Sequence, residues 1–140
     1  MYRFGCLVMV LLVFSAVHGC KVGLLEPVLE ATPSPPPVER VERWPSPSGG
    51  LEVVVLTRNG GATVAYRTDV HVVEAGGEPQ GEPLILASRV RDLNVEWASE
   101  QQVVLKASQA QVFRLKREFL VAGSGPKVRL ELQVPNAGRL

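Results

Sequence analysis

Apolar and polar positions alternate with a period of two from Leu51 to Val134, and turn-forming residues interrupt the alternation every 8 to 14 positions. A side chain every second residue on one face is the mark of a half-buried strand, and no segment carries the 3.6-residue stripe of a helix. The pattern predicts an all-β domain, a small antiparallel meander or sandwich of about 6 to 8 strands over residues 51–134, with 135–140 as a tail. Leu51, Val53 and Val55 share a face with Val64, Tyr66, Thr68, Val70 and Val72 across Arg58-Asn59-Gly60-Gly61. Asn-Gly favours a two-residue hairpin loop, so Arg58 is expected opposite Gly61, Val53 opposite Tyr66 and Glu52 opposite Arg67.

Further along, Pro83 to Ser88 reads as a third strand. Leu93, Val95 and Trp97 then face inward, and Val103, Leu105 and Ala107 return on the same face. In the last pair, Phe113, Leu115, Phe119 and Val121 alternate against Val128, Leu130, Leu132 and Val134 across Gly123-Ser124-Gly125. Charge selects the register that sets Glu118 opposite Arg129, Lys116 opposite Glu131 and Val121 opposite Pro126, because neighbouring registers oppose like charges. That register also points Arg117 at Leu130 on the apolar side, where a guanidinium must snorkel or pair.

Before the domain the pattern changes twice. Residues 20–50 are dense in proline, with Pro27, Pro33, Pro35, Pro36, Pro37, Pro45 and Pro47, and read as an extended tether. Residues 1–19 combine Arg3, an uncharged run from Phe4 to Val17, and Gly19, the layout of a secretory signal. The stretch from Phe4 to Gly19, about 16 residues, is short for a span that needs roughly 20. Cleavage by the ordinary secretory peptidase, or retention as a short anchor, are alternatives for this segment.

The end of that run resembles the lipobox of bacterial lipoproteins. Val17, Gly19 and Cys20 match it, while His18 stands where the pattern has a small or aliphatic residue. The resemblance implies acylation of Cys20, with thioether-linked diacylglycerol and palmitate-type chains, and a mature chain starting there. It also implies a bacterial cell-envelope location, the membrane being contacted through the lipid. Lys21, in place of an Asp retention signal, implies the periplasmic face of an outer membrane if the cell has one. Ser46-Pro47-Ser48-Gly49-Gly50 and Trp97-Ala98-Ser99-Glu100 resemble the punctuation of propeller blades of the TolB type, which implies blade-like strand pairing. Some 90 residues cannot close a propeller of four or more four-stranded blades.

Charge and chemistry narrow the function classes. Loss of Arg3 with the signal takes the 15 Lys and Arg to 14, equal to the 14 Asp and Glu, so the basic excess of a nucleic-acid binder is missing. Cys6 would leave with the signal, and His71 would be the one histidine kept. Those residues provide no cysteine or histidine set for a metal, and no glycine-rich phosphate loop opens a helix, so no cofactor is assigned. Asp69 and His71 share a strand face, where they are either an oriented general base or a solvated polar face. Arg114, Lys116, Lys127 and Arg129 form the one local basic excess, either a contact surface for anionic headgroups or an acidic partner, or a face of cross-strand ion pairs. No catalytic residue is assigned. Three classes follow: a non-catalytic, lipid-anchored binding or structural module, an accessory subunit that docks an envelope protein along an exposed strand edge, and an envelope hydrolase.

Overall fold

The computed structural model describes residues 34–123 and 125–135. Among these the fold is all-β, with nine strands in two sheets. The strands are β1 (Val38–Pro45), β2 (Leu51–Arg58), β3 (Arg67–Glu74), β4 (Ile85–Arg91), β5 (Asn94–Ser99), β6 (Gln102–Lys106), β7 (Gln109–Leu115), β8 (Glu118–Leu120) and β9 (Lys127–Gln133). The first sheet has the order β1-β2-β3-β4-β7 and the second β5-β6-β9-β8. A single 3-10 turn, Val121–Gly123, follows β8. The first strand, Val38–Pro45, lies within the stretch that proline density assigned to the tether, so the sheet begins upstream of residue 51.

The core lies between the sheets. Val53, Val55, Val70, Ile85 and Ala87 of the first face Val95, Val103, Leu105, Val128 and Leu130 of the second, all buried. Burying a Val or Leu side chain is worth about 1.5 to 3 kcal/mol. The alternating strands therefore supply the driving force for closing the sandwich. Val95 pairs with Leu105 and Trp97 with Val103, which agrees with the common face expected for them.

Elsewhere the registers differ from the sequence reading. Val53 lies opposite Val72 and Arg58 opposite Arg67, so β2 and β3 are joined by the wide loop 59–66 and not by a two-residue turn. Asn59 still makes a local turn there, its Oδ1 accepting from the Gly61 N–H at 2.9 Å. The tight register would have carried Val70 and Val72 past the start of β2, whereas the observed one pairs Val55 with Val70 and Val53 with Val72 in the core. Val64 and Tyr66, expected inside, are exposed on the loop.

In the terminal region Glu118 does lie opposite Arg129, and the Val121 N–H donates to the Pro126 carbonyl at 3.1 Å. Phe119 lies opposite Val128 and Leu120 opposite Lys127 in the same register, and the expected hairpin fails only from Lys116 upstream. The Lys116 N–H donates to Leu84 O in the first sheet at 2.7 Å, while Arg117 O accepts from the Leu130 N–H in the second at 2.7 Å. The chain thus changes sheets between these two residues. Lys116 does not face Glu131. Arg117, at the crossing, is exposed and avoids the apolar side. Val103 of β6 pairs in parallel with Leu130 of β9, so the second sheet is mixed and not wholly antiparallel. Phe113 is skipped where Leu86 pairs with Arg114 and Ala87 with Val112; this bulge turns Phe113 outward, leaving it 54% exposed, and Val112 packs on the core in its place.

Candidate functional site

Asp69 and His71 sit side by side on β3 and both are buried, which corrects the reading of a solvated polar face. The backbone pairing that sets Arg58 opposite Arg67 brings two guanidinium groups over one carboxylate. Arg58 Nε donates to Asp69 Oδ2 at 2.8 Å and Arg67 Nε to Oδ1 at 2.6 Å. Both carboxylate oxygens are thereby engaged. Arg58 also donates from Nη1 to the Pro36 carbonyl at 2.8 Å, which fixes the start of β1. Desolvation pushes the His71 pKa down; the Asp69 charge opposes that shift, and the two arginines add to it. The neutral form of His71 is thereby favoured, beside a carboxylate already held by two arginines in an ion cluster within the sheet.

The four basic residues expected to share a surface are divided between the sheets. Arg114 is on β7, Lys116 follows it, and Lys127 and Arg129 are on β9. Arg114 pairs with Glu82 at 2.6 Å, while Lys127 and Arg129 share Glu118 at 2.6 and 3.0 Å. Three of the four charges are answered by acids of this chain.

The two punctuation runs meet in space. Ser46 to Gly50 form the β1–β2 turn, with Gly49 at φ 76° and the Gly49 N–H donating to Ser46 O at 2.9 Å. The Glu100 carboxylate accepts from both the backbone N–H and the hydroxyl of Ser48, and the Ser48 hydroxyl bond holds the Glu100 pKa below its ordinary range. Beside them Trp97 Nε1 donates to Trp44 O at 3.0 Å. These contacts clamp the two sheets together at one end.

The opposite end stands open. From the turn after β4, β5 passes beneath the first sheet until Trp97 reaches Trp44 on β1, three strand positions from β4. The corner around Arg40, Thr57 and Thr68 lies toward the far end of their strands from the Trp44 contact. A cleft of about 1130 Å³ occupies that corner. Its floor is Val55, Thr57 and Thr68, and its β1 side carries Glu39, Arg40 and Glu42. Across from them stand Arg89, Val90, Arg91, Asp92 and Leu93, with Ala65, Tyr66 and Gln109 completing the rim.

Two of these residues have unusual backbone. Arg89 has φ 53° and Asp92 φ 51°, left-handed conformations that cost a non-glycine residue about 1 to 2 kcal/mol. The β4–β7 ladder jumps from Ser88 to Arg91 at this point, a bulge that re-aims the side chains around it. Ser108 fixes the turn by donating its N–H to Arg91 O at 3.0 Å and its hydroxyl to Asp92. Arg40 pairs with Glu42 at 2.6 Å, but among the described residues neither Arg89 nor Arg91 has a side-chain hydrogen bond or an ion pair. The sequence reading missed this cleft. The available signal was Arg89-Val90-Arg91-Asp92, a charged run that ends a strand without any glycine or proline.

The class these features define is a small two-sheet β domain, clamped at one end and open at the other. Comparison with family models, curated proteins and solved structures finds no match. Cys20 lies outside the described residues.

Proposed function

We propose that this protein is a non-catalytic binding module of the bacterial cell envelope, anchored by lipid on Cys20, that receives its ligand in the open end of the sandwich. The observation carrying this reading is the cleft itself. An open concave site of about 1130 Å³ has room for a small ligand, its walls are mainly polar and charged, and two of its residues are held in left-handed backbone. The engagement of both Asp69 oxygens by arginine argues against the hydrolase reading, since the neighbouring His71 gains no free carboxylate to orient it.

Two measurements test this. Cys20→Ala is expected to move the protein from the membrane fraction to the soluble fraction, and mass spectrometry of the wild type should show an acylated N-terminus at Cys20. Wild-type protein that retains Met1 would refute the anchor. Thr57→Trp, which fills the cleft floor, is expected to abolish retention of envelope components by the full chain while leaving thermal stability within a few degrees. Unchanged retention would refute the cleft as the site.

A second reading rests on a separate observation. β1 is an eight-residue edge strand with Val38 41% and Val41 51% exposed, and among the described residues no strand pairs with its outer side. Long uncovered edges favour pairing with another chain. Replacing Val41 by Pro would remove a donor from that edge, so loss of partner binding in Val41→Pro together with full retention in Thr57→Trp would select the accessory-subunit reading.

A further inference from the structure

The two sides of the cleft differ in sign, and this assigns the chemistry of its occupant. On the β4–β5 side Arg89 and Arg91 outweigh Asp92, whose carboxylate already accepts the Ser108 hydroxyl. On the β1 side Glu39 and Glu42 outweigh Arg40, which is paired with Glu42. One side thus carries a net positive charge and the other a net negative charge. Strands β1 and β4 are three inter-strand steps apart, and at ~4.8 Å per step the two sides are separated by about 14 Å.

We infer that the cleft binds a short extended peptide, about four residues long, with both termini free. At roughly 3.3 to 3.6 Å per residue, four extended residues span the distance between the charged sides. The inference rests on the proposed binding role of the cleft and names the ligand class for it. The terminal carboxylate sits against Arg89 and Arg91, whose planar guanidinium groups match a carboxylate in bidentate fashion. The terminal ammonium group lies toward Glu39 and Glu42. Between them, the half-buried Thr57 offers its hydroxyl to the peptide backbone, and the half-buried Val90 and Leu93 offer surface to apolar side chains. The left-handed backbone at Arg89 and Asp92 holds the basic side in place before the ligand arrives, which lowers the ordering cost of binding. An uncharged oligosaccharide would leave both sides unmatched, and a phosphate monoester would leave Glu39 and Glu42 unmatched.

Equilibrium dialysis of the full chain in detergent against a mixed-sequence tetrapeptide pool, with mass-spectrometric quantification, tests this. Peptides with free termini are expected to be retained at least tenfold better than the same pool carrying C-terminal amides, and several-fold better than an N-acetylated pool. Arg89→Asn combined with Arg91→Gln should abolish the preference for the free carboxylate; Asn tolerates the left-handed backbone at position 89, and unchanged thermal unfolding would show that the fold is intact. Equal retention of amidated and free peptides would overturn the inference, as would no retention at millimolar peptide or an unchanged preference in the double variant. Retention of envelope oligosaccharides in place of peptides, blocked by Thr57→Trp, would also overturn it while leaving the cleft a binding site. Failure of Thr57→Trp to alter any retention would instead remove the binding reading itself.

Discussion

Asp69→Asn isolates the most concentrated charge in the sheet. The substitution keeps the shape of the side chain but removes the anion that holds Arg58 and Arg67 at 2.8 and 2.6 Å. The Asp69 side chain is 2% exposed, whereas those of Arg58 and Arg67 are 16% and 33% exposed. Breaking a buried pair from one side costs about 3 to 5 kcal/mol, and the partial wetting of the arginines places this case near ~3 kcal/mol. A domain of about 100 residues unfolds with an entropy on the order of 0.2 kcal/mol per kelvin, so the melting temperature is expected to fall by about 15 °C. Arg67→Met alone should cost less, because Arg58 still answers the carboxylate. In a cycle with Arg67→Met, the pair should show a coupling of about 0.5 to 3 kcal/mol. Replacing all three residues by Leu and Met is expected to recover most of the loss, since apolar substitution of a buried ion cluster is often neutral. Calorimetric unfolding of the full chain near neutral pH measures each quantity. A melting temperature for Asp69→Asn within about 3 °C of wild type would refute the view that this cluster is a structural element of the sheet.

Further outcomes follow from other contacts. Glu100 has its pKa lowered in the folded protein, first by the Ser48 hydroxyl, so its stabilisation is present above the ordinary carboxylate value and is lost as pH falls through the lowered one. Melting temperatures measured from pH 6 down to 3 should fall less steeply in Glu100→Gln; Glu52 and Glu118, lowered by Arg43 and Lys127, will maintain part of the slope. His71 also has a lowered pKa, but from desolvation, so the wild type should lose stability as pH drops below about 6.5, where the unfolded imidazole takes up a proton. His71→Leu should flatten that region, and an unchanged slope between pH 7 and 5 would show that His71 is not desolvated. Trp97→Phe removes the donor to Trp44 O and should cost about 1 kcal/mol in denaturant unfolding. A larger loss from Leu105→Ala, about 2 to 5 kcal/mol, would be consistent with a core carried by the facing apolar strands.

The all-β class and the central pairing of β5 with β6 were legible because period-two alternation fixes which side chains share a face. Parity survives a register error: Val53 faces Val72 and not Tyr66, yet both residues have even numbers. What alternation does not record is where a chain leaves one sheet for another. Phe113, Leu115, Phe119 and Val121 read as one continuous strand, and the change of sheet between Lys116 and Arg117 carries no glycine or proline to announce it. Arg117, which the continuous strand would have forced against Leu130, was the one sign of a break. The cleft was illegible for a related reason. Its lining comes from β1, β2, β3, the β4–β5 turn and β7, segments far apart in the chain whose meeting no local pattern encodes.

The parallel pairing of β9 with β6 has a consequence for how the domain is made. β9 lies between β6 and β8 and supplies Val128 and Leu130 to the core, so the second sheet has no complete interior until residues 127–133 are in place. Parallel partners cannot be joined by a tight turn, and here the intervening chain first builds β7 on the edge of the other sheet. Such long-range contacts close late and slow the folding of a small domain. Until β9 is in place, Val103 and Leu105 of β6 lack the neighbours that bury them and β8 has no strand to pair with. The inner face of the second sheet therefore closes in one late step, when the ninth strand inserts between two that are already made.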